Sequence, residues 1–166
     1  MKKIVVGIMG PGNASPLEVQ TARELGRCIA SQGWILLTGG CNSGVMTAAN
    51  QGAKEAGGLT LGILPDRDDR HLCPHVDIAI VTDMGSARNN INVLSSDVVV
   101  ACGMGPGTAS EIALALKAGK FVILLHLSRA GQEFFAQLAP EKAIAVDTPA
   151  AAVDRIREIL ANGNPK

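Results

Sequence analysis

The chain has no tyrosine, one tryptophan and three phenylalanines in 166 residues, so it offers few rings on which nucleic-acid bases could stack. It also lacks a charge surplus: 15 Lys and Arg balance 15 Asp and Glu, with no basic run. That balance removes the electrostatic footprint of a nucleic-acid partner. Apolar runs are short and interrupted, so no segment reads as a membrane span. Cys28, Cys41, Cys73 and Cys102 form no C-x-x-C pair, and in the cytoplasm, the address expected here, they stay reduced. The start Met1-Lys2-Lys3-Ile4-Val5-Val6-Gly7 has the charge of a secretory n-region, but Gly10-Pro11-Gly12 arrives before an apolar h-region develops.

Apolar residues are abundant. They make up 47% of the chain and the mean hydropathy is +0.24, which predicts apolar surface held in a subunit interface, hence a homo-oligomer. The length fits one domain, expected over residues 1–161, with a frayed tail at 162–166.

Strand and helix signals alternate. Strands are predicted at Lys3–Met9, Trp34–Leu37, Leu59–Leu64, Val76–Val81, Val98–Cys102, Phe121–His126 and Ala143–Val146. Helices are predicted between them, the first starting at Ser15-Pro16 and stopped by Gly33. The expected fold is therefore α/β, a three-layer, doubly wound, Rossmann-like parallel sheet of about seven strands with helices on both faces. In such sheets the ligand crevice lies beyond the carboxyl ends of the strands. Four loops should open there: Gly10–Ser15, Gly39–Gly44, Asp83–Arg88 and Gly103–Thr108.

The most informative run is Ser95 to Glu111. A β-branched strand, Val98–Cys102, meets Gly103-Met104-Gly105-Pro106-Gly107-Thr108, and helical spacing begins at Ala109. A glycine loop entering a helix presents unpaired N–H groups and the positive end of the dipole, an anion site that needs no lysine. The spacing is neither G-x-G-x-x-G nor a P-loop. The plain alternative is a βα turn in which Thr108 and Glu111 form a capping box.

Arg88 sits in the first turn of a helix expected to be capped by Ser86. A cation there opposes the dipole, so it points either to an anionic ligand or to a salt bridge with Asp83. Glu111 is either a cap or a carboxylate facing the ligand beside Arg88. Asn89 and Asn90 lie near the same edge, and solvation explains them and Asn92 equally well. His71, Cys73 and His75 cluster, but Pro74 breaks the helix that would align the two histidines, so no metal site is expected. Cys102 reads as core, and Cys41 as a glycine-loop thiol within reach of a ligand.

Gly39-Gly40, Gly44-Val45-Met46, Arg88 and the Gly-x-Gly-Thr-x-x-Glu ending at Glu111 resemble the LOG-like Rossmann proteins over about residues 3–126. Enzymes of that family hydrolyse the N-glycosidic bond of cytokinin riboside 5′-monophosphates and related nucleotides. The resemblance places Arg88 and Glu111 where their catalytic pair falls. Two departures stand out: Gly103-Met104-Gly105 replaces Pro-Gly-Gly, and Ser110 replaces a further acid. Gly7 to Gly12, Gly33 to Gly40, Gly85-Ser86-Ala87-Arg88 and Gly103 to Thr108 are similar, in turn, to the molybdenum cofactor carrier proteins.

That second resemblance implies a dimer or tetramer that binds the anionic pterin cofactor, molybdopterin with its metal, and passes it without turnover to cofactor-receiving molybdoenzymes. The cofactor-binding set it implies is Gly10, Pro11, Gly12, Gly39, Gly40, Ser43, Gly44, Val45, Met46, Arg88, Asn89, Gly103, Met104, Gly105, Pro106, Gly107, Thr108 and Glu111. The alternative cargo is a nucleotide 5′-monophosphate. It would be hydrolysed with Arg88 and Glu111 catalytic, or sensed without being consumed.

Overall fold

The computed structural model describes residues 2–163, and Met1 and 164–166 lie outside the described residues. Seven strands form one wholly parallel sheet: β1 (Val5–Met9), β2 (Ile35–Thr38), β3 (Thr60–Leu64), β4 (Ile78–Val81), β5 (Val98–Cys102), β6 (Val122–Leu125) and β7 (Ala143–Val146). Their order is β4-β3-β2-β1-β5-β6-β7. The chain winds outward from β1 in one direction and outward from β5 in the other, so strand order reverses between β1 and β5. A ligand crevice is expected at that reversal, beyond the strand ends.

Six helices cover the two faces: α1 (Pro16–Ser31), α2 (Gly44–Glu55), α3 (Arg88–Ser95), α4 (Pro106–Lys117), α5 (Arg129–Leu138) and α6 (Pro149–Ala161). Alternate residues of the buried strands feed separate cores, as side-chain alternation requires. Val98, Val100 and Cys102 pack with Leu25 and Ile29 of α1, Val45 and Ala49 of α2, and Ile156 of α6. Val99 and Ala101 pack with Val93 of α3, Ile112 and Ala115 of α4, and Phe135 of α5. The three-layer architecture is the one expected from the alternating pattern.

α1 starts at Pro16 with Ser15 in a complete capping box. Glu18 N donates to Ser15 Oγ at 3.3 Å and Ser15 N donates to Glu18 Oε2 at 2.7 Å. α1 and α2 lie so close that a Cβ on Gly26 or Gly52 would meet the opposite backbone, at Ala49 and Arg23 respectively. β4 is shorter than expected and all four of its residues are exposed, Ile78 at 48% and Val81 at 46%. Of the expected tail, Asn162 is the C-cap of α6, and 164–166 lie outside the described residues.

Candidate functional site

At the β1–β5 reversal a cleft of about 560 Å³ opens on the carboxyl edge of the sheet. Ile8 and Met9 of β1 line it, followed by Gly10, Pro11, Gly12 and Asn13 of the next loop. Gly39 and Met46 enter from the β2–α2 connection, and Pro65 from the end of β3. Gly85, Ser86, Arg88 and Asn89 close one side, and Met104 to Thr108 with Glu111 the other. All four expected loops therefore converge on one crevice.

α4 begins at Pro106, three residues before the helical spacing suggested. Gly105 (φ −150°, ψ 172°) is an extended N-cap without a side-chain bond, and Pro106 supplies the preset φ of a first helical residue. The Thr108–Glu111 capping box is consequently absent. Thr108 lies inside the first turn, 2% exposed, and its Oγ1 has no hydrogen-bond partner. The opening turn lines the cleft and carries neither a side-chain cap nor an acidic residue, which leaves the positive end of the dipole available to an anion.

Opposite α4, Gly85 (φ +50°) bends the chain into a single 3-10 turn, Gly85–Ala87, that runs directly into α3. Ala87, not Ser86, occupies the N-cap position, with no side-chain cap. The expected Ser86 cap does not form because that turn carries the chain into Arg88 already helical. Nor does Arg88 pair with Asp83. Its Nη1 donates to Asn89 Oδ1 at 2.5 Å and lies 3.7 Å from Glu111 Oε1. Its Nε is buried with no partner. The guanidinium rests on Gly39, where a Cβ would come 2.6 Å from Nη2 and 2.9 Å from Met46 Sδ.

Two buried asparagines hold this arrangement. Asn92 Nδ2 donates to Glu111 Oε1 at 2.8 Å, and Asn89 Nδ2 donates to Ser110 Oγ at 2.9 Å. Ser110 Oγ in turn donates to Gly107 O at 2.7 Å, which ties α3 to the first turn of α4. Ser110, the departure from the hydrolases, is therefore part of the frame. Burial holds the Glu111 carboxyl above the ordinary carboxylate range, against the pull of the Asn92 hydrogen bond and the Arg88 charge. Asn92 is fully buried, so solvation does not account for it, whereas Asn90 is exposed.

Thirteen of the eighteen residues expected at the site line the cleft, and Gly40, Ser43, Gly44, Val45 and Gly103 do not. Gly44 (φ +44°) lets α2 start against the backbone of Pro11 and Gly12, and Val45 is core beneath Gly10. Gly103 (φ +79°) turns β5 toward α4 alongside Glu18. Ser43 lines a second, smaller hollow with Cys41, Asp66, Arg70 and His71. Sequence reasoning missed Ile8, Met9, Asn13, Pro65, Gly85 and Ser86. Of these, Gly85 and Ser86 had a signal, since they precede Arg88 in a loop already assigned to this edge.

The other candidates, Cys41, His71, Cys73, His75 and Cys102, do not line the cleft. Cys73 is fully buried, and His71 Nδ1 lies 3.0 Å from Asp66 Oδ2 at the surface. Among the described residues no three His, Cys, Asp or Glu side chains could hold a metal ion together. Burial pushes the Cys102 thiol up to about 12, as expected of a core cysteine. Burial also raises the Cys41 thiol, opposed by the neighbouring Arg88. No helix among the described residues is long and apolar enough to cross a membrane.

Residues 3–153 match the SLOG cluster4 family. The chain belongs to it. Among solved structures similar to this SLOG cluster4 protein is the molybdenum cofactor binding protein of Rippkaea orientalis. It is 52% identical with a TM-score of 0.95, over 96% of this chain and 99% of that one. The molybdenum cofactor carrier protein of Chlamydomonas reinhardtii is 48% identical with a TM-score of 0.92, over 96% and 99%. The cytokinin riboside 5′-monophosphate phosphoribohydrolase of Mycobacterium tuberculosis is 36% identical over 104 residues, 61% of this chain but 54% of that enzyme. Both resemblances read from the motifs recur, and the one to the carrier proteins runs nearly end to end.

Proposed function

We propose that this protein binds and carries the molybdenum cofactor without turnover. The observation that carries this reading is a pair of buried polar groups at the cleft with no protein partner, Thr108 Oγ1 and Arg88 Nε. Buried polar groups are normally paired, so two orphans on residues that line one crevice point to a ligand that completes them. The cofactor suits both. Its phosphate fits the uncapped turn of α4, and its oxo-molybdenum head carries the anionic oxygens that a guanidinium forks onto. A cleft of about 560 Å³ has the volume of a small-molecule site. Near full-length likeness to two proteins named for this cofactor supports the same cargo.

In this reading the protein is a cytoplasmic homo-oligomer that delivers the cofactor to molybdoenzymes. The apolar β4 edge, with Ile78, Ile80 and Val81 each between 43% and 48% exposed, supports a second copy there. A second reading, nucleoside-monophosphate hydrolysis, is favoured by the Arg88–Glu111 approach of 3.7 Å. Glu111, however, is 5% exposed and already engaged by Asn92 Nδ2 at 2.8 Å, and the likeness to the hydrolase covers only 54% of that enzyme. The test is protection: pure protein mixed with isolated cofactor is expected to slow its oxidative loss. A loss rate equal to that in buffer removes the carrier reading.

A further inference from the structure

Flat heterocycles are commonly gripped by aromatic side chains, yet none of Trp34, Phe121, Phe134 and Phe135 lines this cleft. Three of the chain's five methionines do: Met9, Met46 and Met104. They arrive from separate elements. Met9 ends β1, Met46 lies in the first turn of α2 with its Sδ over Gly39 just beyond β2, and Met104 stands in the β5–α4 loop. In the sheet β1 lies between β2 and β5. Met46 and Met104 therefore flank the cleft, while the Met9 methyl turns back along β1 beside Gly7, into the core.

We propose that Met46 and Met104 form a thioether clamp on the flat ring system of the ligand. This rests on the carrier reading for the identity of that ring as a pterin, but the clamp itself requires only a planar heterocycle. The spacing fits. Adjacent strands lie about 4.8 Å apart, so the tips of β2 and β5 stand about 10 Å apart. A polarizable sulfur sits about 5 Å from a ring it contacts, so one ring fits between two such sulfurs. The side chains differ in freedom as a clamp requires. Met46 is half-buried against Gly39, while Met104 is 38% exposed and its methyl lies toward Gly131 of α5. Three flexible torsions let Met104 swing aside for entry and return over the ring.

Protein carrying [methyl-13C]methionine tests this, titrated separately with isolated molybdenum cofactor, with AMP as a second flat ring, and with inorganic phosphate as a ringless anion. The Met46 and Met104 methyl signals are expected to move upfield by ring current with the cofactor but not with phosphate. The signal of Met84, which lies outside the cleft, is expected to stay in place. Met46→Leu and Met104→Leu preserve volume and remove sulfur; each is expected to weaken cofactor retention about 2- to 10-fold, with phosphate affinity and the Met84→Leu control unchanged. Bound cofactor without upfield shifts, or leucine variants with wild-type retention, overturns the clamp and leaves the carrier reading standing. Upfield shifts with AMP in a protein that binds no cofactor uphold the clamp and overturn the carrier reading. Binding of neither ring overturns both.

Discussion

Replacing Thr108 with valine should move stability and ligand retention in opposite directions. The side chain is 2% exposed and its Oγ1 has no partner, so in the free protein the hydroxyl costs about 1–3 kcal/mol of lost hydration. Valine keeps the shape, has a similar helix propensity, and removes that cost. The free Thr108→Val protein should therefore gain about 1 kcal/mol, a Tm rise of about 2–4 °C for a chain of this size. With an anion at the start of α4, the same hydroxyl becomes a donor to a charged group. Such a bond contributes about 1.5–3 kcal/mol, so the variant should hold cofactor about 10- to 150-fold more weakly. Thermal unfolding of the free protein and cofactor retention on a desalting column measure the two effects. A lower Tm with unchanged retention would refute the reasoning and make the hydroxyl a structural group.

Glu111 is raised above the ordinary carboxylate value, so it contributes stability that is present below pH 4.5 and lost as pH rises through its own higher value. Urea midpoints across about pH 4 to 8 should show the stability of Glu111→Gln relative to wild type growing with pH and then levelling, and a constant difference would contradict this. Arg88→Lys keeps the charge but not the fork, and is expected to weaken cofactor retention about tenfold or more by equilibrium dialysis. Gly44→Ala forces a side chain into φ +44° against the carbonyl oxygens of Pro11 and Gly12. It should cost about 2 kcal/mol or more, a Tm drop of at least about 4 °C by calorimetry.

The layers of the fold were legible because Val98–Cys102 and Phe121–Leu125 are continuous apolar runs, the mark of strands buried on both faces. The start of α4 was less so. Helical periodicity becomes visible only at Ala109, yet Gly105 and Pro106 begin the helix by backbone geometry, which no spacing of apolar residues reveals. That shift converts Thr108 from a cap into an unpartnered donor. Similarly, Ser86 has the chemistry of a cap, but Gly85 in the left-handed region carries the chain past it.

Within the site, glycine spacing identified which loops meet but not which of their residues face inward. Gly44 and Gly103 matter through the contacts their backbones allow and Val45 through its side chain packed beneath Gly10, whereas Met9 and Asn13 gave no signal beyond adjacency to a glycine loop. The network from Arg88 through Asn89 and Ser110 to Gly107 joins residues of two helices and was invisible to motif reading. For Asn92 the polarity of its helix leaves solvation and ligand contact equally open. Its burial against Glu111 depends on how α3 packs on α4, a property of the assembled layers.

The most direct test of carriage without turnover is native mass spectrometry of the protein purified from a host that makes the cofactor, followed by incubation at high protein concentration. The account predicts a bound pterin mass with matching absorbance that persists unconsumed. Bare protein that instead releases free base from AMP or N6-substituted AMP, and stops doing so in Glu111→Ala, would contradict it.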